Sequence, residues 1–156
     1  TNSLNAVPDR FTIFIDRRIT LNEPHDDVVN LIKGLIPDYL QEEIKVEELE
    51  YDTPSYTGFV FPLKKYFPAW LQEETHPLVQ AGQKTMRELW NEERPLGTWD
   101  FSTNGTYWAG KAGIPSIGFG PGDEVTAHTT LEHVALDDVV KATEFYTYLP
   151  KMLKEA

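Results

Sequence analysis

Cysteine is absent from all 156 residues, which excludes disulfides, thiolate metal sites and a cysteine nucleophile. Any metal bound here must take its donors from His, Asp and Glu. Basic residues are also scarce: 14 Lys and Arg against 25 Asp and Glu leave a net charge of −11. That charge opposes binding to nucleic acid or an anionic membrane, and no basic patch interleaved with aromatics offsets it. No apolar run approaches the ~20 residues that cross a bilayer, and the start lacks a basic region followed by an apolar one. These absences point to a soluble chain working on small ligands or protein partners, in a setting compatible with the cytoplasm. Internal repeats and low-complexity tracts are missing too. What is present is a 40% hydrophobic composition, enough to build the core of one medium domain or two small ones.

Hydrophobic spacing supplies the elements. Phe11, Ile13 and Ile15 alternate with Thr12, Phe14 and Asp16, which predicts a strand over 11–18. Turn residues and acidic groups at 22–27 open a helix expected to run from about Asp26 to Leu40, with Pro37 distorting its last turn. Residues 44–51 alternate again and read as a strand with a charged outer face. Pro54, Pro62, Pro68 and Pro77 then punctuate a stretch dense in aromatics, read as an irregular surface connection and a boundary between two units. A helix over Leu78–Glu93, a short strand at Thr98–Phe101, a loop at 102–105, a helical turn at Thr106–Ala112, a strand at Ile114–Phe119 and a final helix opened by Asp137 and Asp138 follow. The class is α/β.

The most informative stretch is Gly-Ile-Pro-Ser-Ile-Gly-Phe-Gly-Pro-Gly at 113–122, followed by Thr-Ala-His-Thr-Thr-Leu-Glu-His-Val at 126–134. An apolar strand breaks into a glycine-rich loop that delivers His128 to its far end. Such strand ends are where α/β enzymes place chemistry, because rigid structure aims a side chain while the loop leaves room for a ligand. The loop is neither a Walker loop nor a dinucleotide fingerprint. On residue chemistry alone, His128 reads either as a ligand or as a loop histidine bonded to backbone, and Arg18 as an exposed charge paired with Asp16 or Glu23. His133 reads as structural, His25 and His76 as surface or helix-capping residues, and the 56–70 aromatics as packing.

This pattern, together with Asn5-Ala-Val-Pro8 and Ile13-Phe-Ile-Asp16-Arg17-Arg18, resembles the M20 family of zinc metallopeptidases and amidohydrolases, from Asn5 to the final helix. The resemblance implies a partial ferredoxin-like lid or dimerisation domain with its connector over 1–75, and the C-terminal half of a phosphorylase/hydrolase-like zinc peptidase domain over 76–156. It implies that His128 is a metal ligand, that Asn5 stabilises the oxyanion, that Arg18 anchors a substrate carboxylate, and that Gly118, Gly120 and Gly122 line the pocket. It further implies one or two zinc ions, a short-peptide or N-acyl amino acid substrate, and a homodimer formed through the lid. Glu132 is a candidate to orient His128 as a hydrogen-bond acceptor.

Two departures shape the expectation. Ser102-Thr103-Asn104-Gly105 stands where the family commonly has Thr-Asp-Gly, and the metal-binding His-x-Asp run of the family's N-terminal half has no counterpart, the one such spacing, His25-Asp26-Asp27, falling where the first helix is expected to open. A hydrolytic zinc site uses about three protein ligands and a water, so the chain reads as a fragment of a larger hydrolase that is silent by itself and holds zinc weakly. The alternative is a non-catalytic binding or dimerisation module of the same ancestry.

Overall fold

His76 starts the best-packed helix. In the computed structural model, which describes residue 5 and residues 7–154, the His76 imidazole accepts a hydrogen bond from the Leu78 N–H at 3.1 Å through Nδ1. That satisfies one of the N–H groups a helix leaves unpaired at its start, and Pro77 follows at a position where no N–H is needed. The helix, α2, spans Pro77–Trp90 and closes on Asn91, whose left-handed φ of 52° lets its N–H return to the Arg87 carbonyl at 2.9 Å. His76 is therefore a cap, as its place in the sequence suggested.

An earlier helix, α1, spans His25–Gly34, with Asp26 and Asp27 in its first turn and Lys33 in its last, the polarity that the helix dipole favours. It stops six residues short of the expected Leu40. Pro37 has no N–H to continue the ladder, so Leu35 and Ile36 turn back to Ile32 and Lys33, and a separate short turn forms at Asp38–Leu40. Strands β1 (Glu50–Tyr51) and β2 (Leu63–Lys64) pair antiparallel, Glu50 opposite Lys64 and Tyr51 opposite Leu63. The loop joining them turns at Gly58, whose φ of 82° suits glycine. After α2 comes a wide helical turn at Thr106–Lys111, and the last helix, α3, spans Leu136–Lys154. The result is a mixed α/β architecture with a small antiparallel sheet.

The core lies between α2 and α3. Val79, Ala81, Gly82, Thr85 and Met86 face Ala142, Phe145 and Met152. Segment 117–119 completes it: Phe119 stacks on Phe145 with ring centroids 4.0 Å apart, and the Tyr146 hydroxyl donates to the Phe119 carbonyl. Gly82 makes this approach feasible, because a Cβ there would lie 3.1 Å from Ile117. None of the described helices is long and apolar enough to cross a membrane.

Three expected strands do not form, and the one expected over 44–51 forms only at Glu50–Tyr51. Residues 11–18, 98–101 and 114–119 join no ladder among the described residues. A strand needs a neighbouring backbone for its N–H and C=O groups; residues 114–119 instead pack by side chains on the helices, and at 98–101 Trp99 and Phe101 stack on each other 5.8 Å apart. Over 11–18 both faces stay open, Phe11 being 80% and Phe14 75% exposed. Alternation there was legible, but no described segment covers it.

Among the described residues, α1 packs on neither of the other α-helices and on neither strand, and a polar clasp ties it to the hairpin. His25 Nε2 meets Glu48, its Nδ1 meets Asp26 at 2.9 Å, and Lys64 donates to the same Glu48 at 2.6 Å. The ring also sits edge-on to Tyr66 with centroids 4.5 Å apart. Both imidazole nitrogens face carboxylates, so only the protonated ring can donate to both. Glu48 first and Asp26 second therefore raise the His25 pKa, while Lys64 and then His25 hold Glu48 below the usual carboxylate range. His25 is thus a tertiary tie rather than a simple cap.

Two outcomes test this packing. Phe145→Ala is expected to destabilise the chain by about 3–5 kcal/mol in denaturant unfolding, the usual cost of emptying a buried aromatic site. The clasp contributes stability that is complete below the unfolded histidine pKa of ~6.5 and is lost as pH rises through the higher folded value. An NMR titration is expected to place His25 above its free value, and Glu48→Gln to bring it down.

Candidate functional site

The glycine-rich segment gains its shape from the aromatics around it. Trp99 lies over Gly118 so closely that a Cβ at 118 would fall 2.0 Å from the ring. Gly120 and Gly122 then form part of a small hollow with Trp90, Phe119, Pro121, Arg94, Asp138 and Lys141. The φ of 98° at Gly122 is one that side chains rarely adopt. Trp90 and Phe119 stack 6.2 Å apart as its apolar wall. Its cations are tethered: Arg94 donates to Glu92 at 3.0 Å and Lys141 to the same carboxylate at 3.4 Å. Arg94 first, helped by Lys141, holds Glu92 below the usual carboxylate range.

Beyond the hollow, His128 stands exposed on a loop with a left-handed φ of 62°. Its backbone N–H donates to Glu132 Oε2 at 2.9 Å, and its imidazole makes no hydrogen bond to another described residue. His133 differs, its Nδ1 lying 2.7 Å from the Leu131 carbonyl, a local structural contact. Glu132 does meet His128, through the main chain rather than the ring.

The other nominated residues sit apart from the hollow's walls. Asn5 lies in an exposed turn. Among the described residues Arg18 reaches only Asp16, at 3.4 Å, with both side chains 78% exposed, a geometry that contributes little and leaves the guanidinium accessible. Arg17, not Arg18, takes Glu23, at 2.5 Å. Glu23 is held down chiefly by the Thr20 N–H and hydroxyl, with Arg17 adding to them. The structure therefore joins Gly120 and Gly122 in one hollow and places Gly118 under Trp99, while Asn5, Arg18 and His128 are not among that hollow's walls.

Residues that the sequence did not single out also shape the region. Trp99 is one, and Trp70 another: a Cβ on Gly105 would lie 2.4 Å from the Trp70 ring, so the Asn104-Gly105 loop is tucked against the connector. Lys111 lies over the Tyr66 and Phe67 rings at 5.4 and 6.0 Å. A second, open cleft runs along the α1 clasp past His25, Glu50, Lys64, Tyr66 and Lys111. The signal available for Trp70 and Trp99 was only the pairing of bulky aromatics with distant glycines.

As a metal donor His128 fits singly: it is exposed, and its ring makes no hydrogen bond to another described residue. No three His, Asp or Glu side chains gather into a metal-holding group among the described residues. A closed site therefore needs donors beyond these.

A family model described as peptidase family M20/M25/M40 matches residues 16–151. The protein YgeY of Escherichia coli K12, described as uncharacterized, is 37% identical over 145 residues, covering 93% of this chain and 36% of YgeY. A putative [LysW]-lysine/[LysW]-ornithine hydrolase of Pyrococcus horikoshii is 26% identical over 150 positions, covering 90% of this chain and 45% of that protein. The chain thus spans less than half the length of these relatives. No solved structure gives a significant match.

The packing of Trp99 on Gly118 yields a direct test. Gly118→Ala is expected to displace the Trp99 ring, seen as a changed near-ultraviolet dichroism and a red-shifted tryptophan emission with helix content retained. An unchanged spectrum would mean that the ring does not lie on Gly118.

Proposed function

Because the chain belongs to peptidase family M20/M25/M40, a hydrolase family, we propose that it is part of a larger metal-dependent hydrolase that cleaves an amide bond in a small carboxylate-bearing substrate. In this reading residues 1–75 belong to a lid or dimerisation unit with its connector, and residues 76–156 form the C-terminal part of a zinc peptidase-like catalytic domain. The observation that carries it is His128, exposed, with a ring that bonds to no other described residue, on a hydrogen-bonded loop inside the matched segment. The named hydrolase among the relatives supports amino-acid derivatives as the substrate class, with short peptides and N-acyl amino acids as the first panel.

Each residue has a role that its chemistry suits. His128 would hold the metal through a ring nitrogen. Zinc at that site would supply Lewis-acid polarisation of the scissile carbonyl and lower the pKa of a water. Arg18 offers a guanidinium fork to the substrate carboxylate, and its loose hold on Asp16 leaves that fork available. Asn5 offers an amide N–H₂ to the developing oxyanion. Gly118, Gly120 and Gly122 allow close approach of substrate to backbone. The remaining metal donors and the general base come from parts of the parent outside this chain, and the setting is the cytoplasm.

A second reading, a non-catalytic dimerisation or binding module, is favoured by one observation: Phe11, Ile13, Phe14 and Ile15 are all 60% exposed or more, an apolar run that another surface would cover. Pairing of two copies through this segment is compatible with either reading.

Assay of the full-length parent with and without zinc separates the two. The enzyme reading expects chelator-sensitive hydrolysis of N-acyl amino acids or short peptides, at least a hundredfold loss in kcat/KM for His128→Ala, and a raised KM with a smaller change in kcat for Arg18→Ala. Absence of turnover across the panel, with a concentration-dependent dimer in light scattering, would favour the module.

A further inference from the structure

The loop that carries His128 is braced at intervals of three residues. The Asp123 carboxylate accepts from the Val125 N–H at 3.0 Å, and its carbonyl accepts from the Thr126 N–H at 3.1 Å and hydroxyl at 2.9 Å. The Thr126 carbonyl in turn accepts from the Thr129 N–H at 3.1 Å and hydroxyl at 2.7 Å, and the Thr129 carbonyl from the Glu132 N–H at 3.2 Å. Asp123, Thr126, Thr129 and Glu132 thus form a continuous series of polar contacts in a segment with few buried apolar groups. The last member closes it backwards, because the Glu132 carboxylate reaches the His128 N–H at 2.9 Å.

His128 needs that closure. Its φ of 62° is left-handed, a conformation that a side chain other than glycine takes only at a cost, and a residue held there persists when its surroundings over-determine it. The bond from Glu132 is charge-assisted and so stronger than one between neutral groups. It constrains the backbone from which the imidazole projects while occupying neither ring nitrogen. A hydrogen bond to the ring would instead fix a tautomer and leave the main chain free to turn.

We propose that Glu132 is a positioning residue that clamps the His128 backbone in its left-handed conformation and thereby presents an unoccupied imidazole to a metal ion. This rests on the reading of His128 as a metal donor. It assigns Glu132 a role through the main chain, distinct from the ring contact by which metal-bound histidines are commonly oriented. Thr126 and Thr129 support it by carrying the brace from Asp123 to the Glu132 backbone.

The test uses the full-length parent with Glu132→Ala, which removes the acceptor, and Glu132→Gln, which keeps an acceptor oxygen without the charge. Amide hydrogen exchange is followed over residues 126–133, and affinity for zinc alone is measured by competition with a chelator. The proposal expects faster exchange at His128 and about tenfold weaker zinc binding in the alanine variant, the lower end for loss of a residue that orients a ligand, with both largely restored by glutamine. Global unfolding measured alongside shows that the alanine variant is folded. Unchanged exchange at His128 in Glu132→Ala overturns the clamp. Unchanged zinc affinity in Glu132→Ala, while His128→Ala weakens it, overturns the positioning role and leaves the metal reading standing. If His128→Ala itself leaves zinc affinity unaltered, the metal reading fails and the inference falls with it.

Discussion

The contact between Phe119 and Phe145 is the constraint on which most of this structure depends. Phe145 is 1% exposed and projects from α3 toward α2, where Gly82 leaves room for it and for Ile117. Phe119 then stacks on Phe145 and on Trp90. One aromatic layer thereby joins the two long helices to the glycine-rich segment. Remove its shape and the hollow at Gly120 and Gly122 loses a wall, because Trp90 and Phe119 are both lining residues. The apolar interior and the candidate site are therefore one packing problem.

A different force governs the first third of the chain. Helix α1 buries only Val28, and Leu31 within it and Leu35 just past its end remain 58% and 76% exposed. A helix of 10 residues with so little burial has little stability of its own, since helices of that length are marginal without tertiary packing. Its clasp of His25, Glu48 and Lys64 offers direction rather than much burial. The exposed stripe and the exposed run at 11–15 belong to the same half, which fits a chain that covers 36% to 45% of its relatives' length.

Much of the helical content was legible because it depends on local chemistry. Pro77 after His76, and Asp137 and Asp138 at the start of α3, mark boundaries that obey capping and dipole rules whatever the surroundings, whereas α2, expected to run to Glu93, ends at Trp90 because Asn91 turns left-handed. The strands were less legible. Alternation at 11–18 and apolar content at 114–119 are necessary for a strand, yet pairing requires a partner backbone whose location no local pattern encodes. The candidate site divides likewise. The sequence nominated His128 and the glycines, and it offered Glu132 as a partner, but the contact runs to the main chain of residue 128.

The sequence by itself determined where the α-helices start, the lack of thiol chemistry, the acidic charge and the family, because each is written in residue types and short spacings. Tertiary structure decided which glycines must remain glycine, since Gly105 and Gly118 are set by Trp70 and Trp99, rings 35 and 19 positions away in the chain. It also decided that His25 ties α1 to the hairpin, and that Glu132 holds a backbone rather than a ring. The physical reason is range: capping, turns and periodicity act within a few residues, whereas close approach and ion pairing depend on where distant side chains come to rest.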